Sequence, residues 1–375
     1  MLSYSTQLIE DDDISAVVEA LQGKFLAQGP KVAEFEDALC KYCDAQYAVA
    51  FNSATSALSG AYAASEISKD DEIITTPISF VSTSNMFVDR GAKPIWCDVK
   101  LDGNIDENQL ENLITPKTKA IVPVHFAGKP VEIAKIHEIA KKYNLLVIED
   151  AAHALGSSIN NKKIGSFSDM TIFSFHAIKP ITTNEGGAVL TDNKEYAQRL
   201  RLFRSHGIVK KKFWNSDMIS MGYNYRLTEI AAALGISQLK KLDRFVKKRN
   251  EIAEYFDKRF ENNKLFLTQK IEKNQRSSRH LYPIILNPAL HCQKEEIFQE
   301  LQEKGLGVQV HYKPIYQNSF YKEQFEEFSL PVANDFYRSE ISIPCNQTMS
   351  MNDAKYVADV LLEVLHKYKH RGCSF

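Results

Sequence analysis

Four short stretches of this chain hold residue types that can do chemistry, and each is weak by itself. The first is 147–153, an apolar run that ends in Glu149, Asp150 and His153. A carboxylate at the end of a buried strand is costly unless something positive meets it. A metal ion is one such group and a protonated pyridine nitrogen another. An aspartate that merely caps the next turn is the commoner case. The second stretch is 173–187, where Lys179 follows an apolar run and the chain returns through Gly186 and Gly187. A lysine held out of water keeps the neutral amine that a Schiff base requires. A single lysine is more often a surface residue. The third is Asn52 to Leu58, small hydroxyl residues between an apolar run and a helical one. Amides at a helix start can hold a phosphate, or they can need no more than an ordinary cap. The fourth is Pro77 to Phe80, whose aromatic can stack on a flat ring or fill the core.

Together the four describe one cofactor. Pyridoxal phosphate needs an anchor for its phosphate, an acid for its ring nitrogen and a lysine for its aldehyde. Thr55, Asp150 and Lys179 supply those types in order, with Phe80 for the ring and Lys179 lying 29 residues beyond Asp150.

Alternating strand and helix patterns must position them. Apolar runs at 48–51, 72–76, 94–98, 120–124, 145–148, 170–175 and 187–190 predict strands, with helices over 55–64 and 131–143 between them. Alternation of that kind predicts an α/β domain with a mostly parallel sheet. A long helix is predicted over 224–244 and a second over 246–260. Beyond them come strands at 280–286 and 307–311 and helices at 294–304 and 352–368. The chain thus divides into a large domain, 1–245, and a smaller C-terminal α+β domain, 246–375.

The 375 residues carry a formal net charge of −1, with 44% apolar and 25% charged residues. No basic surplus points to nucleic acid; Lys210, Lys211 and Lys212 form the densest basic run and read as a solvated loop or a local phosphate contact. No apolar stretch is long enough to cross a membrane, and the start carries no signal pattern. The six cysteines, at 40, 43, 97, 292, 345 and 373, need no disulfide framework in a chain this long, and a cytoplasmic location is expected. Cys40 and Cys43 fall on helical apolar spacing, and no second pair completes a metal site.

The order of motifs resembles the sugar aminotransferases of the DegT/DnrJ/EryC1/StrS family, which have the type I (aspartate aminotransferase) fold. The likeness runs through Gln28-Gly29-Pro30 with Phe35-Glu36, Gly91-Ala92 with Pro94, Gly128, and Glu149 to His153. It continues in Glu185-Gly186-Gly187, His206-Gly207, Tyr223 to Arg226 and Gln238-Leu239. The resemblance implies that Lys179 holds the cofactor aldehyde and Asp150 pairs with the ring nitrogen. It implies further that Ala54, Thr55 and Ser174 bind the phosphate, that Phe80 stacks on the ring, and that Asn224 reaches the phosphate of a partner subunit in a homodimer. His153 stands near the ring hydroxyl, where many members have Gln. Some relatives replace the lysine by histidine and become dehydratases; Lys179 here favours transamination.

The wording of 72–81, 173–183 and 309–316 is similar to a narrower branch of the family. That branch aminates a UDP-linked 4-keto-6-deoxy-N-acetyl-hexosamine with L-glutamate as donor, in pseudaminic acid biosynthesis. The likeness implies that the sugar nucleotide meets Tyr4, the loop Lys24, Phe25, Leu26 and Ala27, and the segment His311, Tyr312, Lys313 and Pro314. The rival readings are an aminotransferase for another 4-keto nucleotide sugar, of the viosamine, perosamine or aminoarabinose type, and a non-catalytic relative acting as a regulatory protein.

Overall fold

The computed structural model describes residues 1–325 and 328–369, so Cys373 lies outside the described residues. Seven strands form the central sheet: β1 (Tyr47–Phe51), β2 (Glu72–Thr75), β3 (Lys93–Trp96), β4 (Thr118–Val122), β5 (Leu146–Asp150), β6 (Met170–Ser174) and β7 (Gly187–Thr191). Their order across the sheet is β1-β7-β6-β5-β4-β2-β3. All run parallel except β7, which is antiparallel to both neighbours.

Helices cover both faces, which is why the strands read as nearly unbroken apolar runs. In β1, Val49 and Phe51 pack under the helices α3 (Ala54–Ala64) and α6 (Lys194–Arg204), introduced here in chain order after α1 (Asp11–Gln22) and α2 (Pro30–Cys43). Ala48 and Ala50 face Phe35 and Leu39 of α2 on the opposite side. Between α3 and α6 in the chain lie α4 (Ser82–Val88) and α5 (Ile133–Tyr143). The parallel strands all end at one edge of the sheet, where open α/β folds place ligands.

Two sequence-based elements are redrawn. The expected helix over 224–244 is instead α7 (Glu229–Leu239), followed by α8 (Leu242–Arg259). Asn224 and Arg226 pair as bridges with Ser205 and Phe51, so their backbone bonds go sideways to the sheet, and the Thr228 side chain then caps α7. At the break the Lys241 ammonium lies 2.6 Å from Asp12 and 2.7 Å from Asp13, which draws the chain toward α1. The expected strand over 307–311 pairs only at Leu306–Gly307, with Leu2–Ser3, and at Gln309, with Ser342. A hairpin of β8 (Ile208–Lys212) and β9 (Asn215–Met218) had no pattern to announce it, since its residues lack alternation. It carries Lys210, Lys211 and Lys212 on an exposed arm.

A second core gathers Ile252 and Phe256 of α8 with β10 (Phe266–Thr268), β11 (Tyr282–Leu286), α9 (Lys294–Glu303), β12 (Glu340–Ile343) and α10 (Met351–Tyr368). Phe245 and Val246, at the other end of α8, pack in the first core. One helix therefore belongs to both. Among the described residues, no helix is long and apolar enough to cross a membrane, and no group of three or more His, Cys, Asp or Glu side chains could hold a metal. Cys40 and Cys43 are free thiols in α2.

Candidate active site

Asp150 is the last residue of β5 and is 5% exposed. Thr83, in the first turn of α4, donates its hydroxyl to Asp150 Oδ2 at 2.6 Å, and the Ala152 amide donates to Oδ1 at 3.1 Å. Thr83 in turn lies 2.7 Å from the Ser79 hydroxyl, and having given its own proton to Asp150 it accepts from Ser79. The carboxylate is thus aimed by two hydroxyl residues that no strand or helix pattern singles out.

Lys179 follows β6 in the turn that leads back to β7, with its amide bonded to His176 O at 2.9 Å. The preceding carbonyl, of Ile178, accepts from Ser5 Oγ at 2.7 Å. Ser5 itself accepts from the fully buried Arg249 at 3.1 Å. The N-terminal segment and α8 therefore grip the backbone next to Lys179. Burial lowers the Lys179 amine from 10.5 to about 8, and the charge of Asp150 partly offsets that shift. The reactive neutral amine is the form above the pKa. Reaction of the cofactor-free protein with a small aldehyde should therefore reach half its limiting rate near pH 8, and not near 10.5. A pH series followed by mass spectrometry of the reduced Lys179 peptide checks this.

The N-terminus of α3 meets Ser174 through Gly187. Gly187 opens β7, where it pairs with both Ser174 and Phe51. A Cβ on Gly187 would lie 2.6 Å from the Ala54 amide nitrogen and Cα, both backbone atoms. Ser53 caps the helix by accepting from the Ser56 amide, which leaves the Ala54 and Thr55 amides at an end where no helical carbonyl can satisfy them. The geometry is an anion cradle built of amides and the Ser174 hydroxyl. Gly187→Ala should cost about 1–3 kcal/mol of stability by overpacking, and should weaken phosphate binding at the cradle. Denaturant unfolding and titration with the cofactor read the two effects separately.

His153 is 4% exposed. Its Nδ1 accepts the Ala127 amide at 3.3 Å, so the ring proton sits on Nε2, which lies 3.2 Å from the Tyr312 hydroxyl. Burial, helped by the nearby charge of Lys179, holds His153 well below 6.5 and hence neutral. Burial does the same to His280, whose ring lies 4.5 Å from that of His153, and holds His311 at about 3. Burial raises the Tyr312 hydroxyl. The rings of His153, His280, His311 and Tyr312 are therefore neutral, and Lys179 acts on all three histidines.

Phe80 is 58% exposed, which excludes a core role. It stands edge-on to Tyr312 at 6.3 Å, and Tyr4 lies 5.1 Å from the His311 ring. The Pro77 carbonyl accepts from the Ile315 amide at 3.0 Å, which joins the segment holding Tyr312, Lys313 and Pro314 to the turn holding Phe80. Tyr4, Phe80, His153, Lys179, His311 and Tyr312 thus converge. The loop of Lys24, Phe25, Leu26 and Ala27 does not join them within one protomer; it lies exposed and is tied to α7 by the Glu229 amide donating to Leu26 O at 3.1 Å. Asn224 is also exposed, just beyond the hairpin.

A mostly parallel sheet whose C-terminal edge holds a half-buried lysine, a hydroxyl-braced aspartate and a helix-start cradle is the type I aminotransferase architecture. The chain belongs to the DegT/DnrJ/EryC1/StrS aminotransferase family, whose profile matches residues 7–362. It is 52% identical, over all of both chains, to a Campylobacter jejuni protein named UDP-4-amino-4,6-dideoxy-N-acetyl-beta-L-altrosamine transaminase. Among solved structures it superposes on Helicobacter pylori PseC, an aminotransferase involved in the biosynthesis of pseudoaminic acid, with a TM-score of 0.95 and 44% identity. That match covers 98% of this chain and 99% of the other. The PLP form of a sugar aminotransferase from Streptococcus pneumoniae, Spr1654, superposes with a TM-score of 0.91 at 30% identity, covering 97% of this chain and 98% of that one.

Proposed function

We propose that the protein transfers the amino group of L-glutamate to C4 of a UDP-linked 4-keto-6-deoxy-N-acetyl-hexosamine. The product is UDP-4-amino-4,6-dideoxy-N-acetyl-β-L-altrosamine, an intermediate of pseudaminic acid biosynthesis. The observation that carries this reading is the full-length 52% identity to a transaminase of that name.

Pyridoxal phosphate, when bound, supplies an aldehyde that condenses with amines and a ring that draws off electron density. The residues present fit it. Lys179 offers an amine that loses its proton near pH 8, far more readily than an ordinary lysine, and Asp150 would offer a fixed negative charge to a ring N–H. Ala54, Thr55 and Ser174 would hold the phosphate in the cradle that Gly187 keeps open. Phe80, exposed beside the site, would be free to cover a face of the ring. His153, whose Nε2–H meets the Tyr312 hydroxyl at 3.2 Å, would stand near the ring hydroxyl. With the cofactor held there, the Lys179 amine would be the acid-base group, taking up the proton from the donor's Cα and giving one back. The sugar half of the reaction reverses those transfers.

A homodimer completes the site. Phe213 and Trp214, at the tip of the hairpin, are 102% and 79% exposed, a cost that a second copy would remove. The exposed Asn224 then reaches the partner's phosphate, and the 24–27 loop and the basic arm meet the partner's substrate. Replacing Phe213 and Trp214 together by serine should weaken the dimer at least about ten-fold, because each loses well over 1 kcal/mol of burial. Sedimentation across a concentration series measures it.

The decisive assay supplies L-glutamate and the UDP-linked 4-keto sugar and identifies the product by NMR. Parallel incubations with other UDP- and dTDP-linked 4-keto sugars separate this reading from a viosamine, perosamine or aminoarabinose type. A protein that stays colourless with pyridoxal phosphate would be a regulatory relative. We place the enzyme in the cytoplasm, where nucleotide sugars are made.

A further inference from the structure

Beside the site stands a buried polar relay that the transfer chemistry leaves unused. Glu340 and Ser342 lie on the same face of β12, while Ile341 and Ile343 point into the second core. Glu340 is 0% exposed, yet both its oxygens are occupied. The His311 amide donates to Oε2 at 2.7 Å, and the Ser342 hydroxyl donates to Oε1 at 2.6 Å. Burial raises the Glu340 carboxyl from 4.5 to about 7, against the two hydrogen bonds and the positive charge of Lys294, whose Nζ is anchored to the Tyr337 carbonyl at 2.5 Å. The group is therefore a carboxylate above about pH 7.

Ser342 has one proton, and the carboxylate takes it. Its oxygen also lies 2.8 Å from His311 Nδ1. Two electronegative atoms at that distance need a proton between them, so it must come from Nδ1. His311, neutral as argued above, then has no proton on Nε2. That nitrogen has no partner among the described residues, and the ring stands beside Tyr4 and Tyr312, within the field of Lys179. His153 is locked in the opposite tautomer, so the two imidazoles present one donor and one acceptor.

We infer that Glu340, acting through Ser342, is a positioning residue that holds His311 in the Nδ1–H form and presents bare Nε2 as the acceptor for a hydroxyl of the sugar substrate. The contact with a substrate hydroxyl rests on the proposed nucleotide-sugar reading; the tautomer does not.

Glu340→Gln tests it with almost no change of shape. The Gln carbonyl must keep the His311 amide, because an NH2 there would face another donor. The NH2 then donates to Ser342, Ser342 turns its hydroxyl toward Nδ1, and the ring proton moves to Nε2. Nitrogen-15 NMR of the histidine-labelled holoenzyme at about pH 8.5, where the carboxylate is ionised, reads this directly, with His311→Gln identifying the resonance. The wild type should show Nδ1–H, and Glu340→Gln should show Nε2–H. Ser342→Thr should keep the wild-type form, and Ser342→Ala should lose it. In kinetics, Glu340→Gln should raise KM for the sugar nucleotide about ten-fold, the worth of one hydrogen bond, with the L-glutamate half-reaction unchanged. A wild-type Nε2–H signal, or a tautomer that Glu340→Gln leaves in place, would overturn the relay. A flipped tautomer with unchanged KM would overturn its substrate role, and a parallel loss in both half-reactions would reduce Glu340 to a structural residue. If no nucleotide sugar is aminated at all, the NMR arm still decides the relay, while the functional reading fails separately.

Discussion

Lys179→Ala should lower turnover by at least about 10³-fold and leave a protein that can no longer be joined covalently to pyridoxal phosphate. The size follows from two roles that end together. A positioned acid-base group contributes roughly 10²- to 10⁴-fold, and the loss of a nucleophilic amine adds to it. The turn that carries the residue should survive. Its backbone is held by the Lys179 amide to His176 O, by Ser5 to Ile178 O, and by Phe175 to Gly186 O. None of these uses the side chain. Removing a desolvated amine also relieves a burial cost, so unfolding in denaturant should show no loss of stability. Borohydride reduction followed by peptide mass spectrometry gives the clearest readout. The wild type should carry the cofactor mass on the peptide with Lys179, and the variant should carry it nowhere. Undiminished turnover in the variant would remove the assignment.

The sequence made the sheet legible because buried parallel strands are continuous apolar runs. All seven strands stand within about three residues of where those runs end. Asp150 and Lys179 were legible for the same reason, since each follows such a run. What escaped is what has no period. Thr83 and Ser79 are hydroxyls on a short turn, and only the folded chain brings them to Asp150. Ser5 and Arg249 lie 244 residues apart and meet behind Ile178. The break between α7 and α8, expected at 245, falls at 240–241, because Lys241 leaves the helix for three acidic side chains near the start of the chain, which no local window contains. The segment 307–311 read as a strand because it is rich in β-branched residues. His311 then bends out of any ladder because its amide finds the Glu340 carboxylate, which sits on a strand of the second core.

Asp150→Asn should cost about a hundred- to thousand-fold in turnover while leaving the fold almost untouched. The substitution keeps size and shape. Thr83 can still donate to the amide oxygen, and the remaining NH2 faces the Ala152 N–H, a mild clash that a small rotation relieves. What disappears is the negative charge. A fixed carboxylate in a low-dielectric site favours a protonated ring nitrogen far more than a neutral amide does, and that proton is what lets the ring take up electron density as the Cα proton leaves. The effect should fall on turnover in both half-reactions, with KM for either substrate little changed, because the role proposed for Asp150 is at the cofactor ring and not at either substrate. A second consequence follows at Lys179. Burial lowers its amine to about 8 against the opposing pull of Asp150, so removing the charge should lower it further. The pH at which the cofactor-free variant reacts with a small aldehyde should then fall below that of the wild type. Thr83→Val offers an independent arm, because it keeps the charge but releases its aim. It should cost less than Asp150→Asn and should leave Lys179 near its original value. Equal losses from the two variants would mean that the position of the carboxylate matters more than its charge, and an unshifted lysine in Asp150→Asn would mean that the two groups do not sense each other across the site.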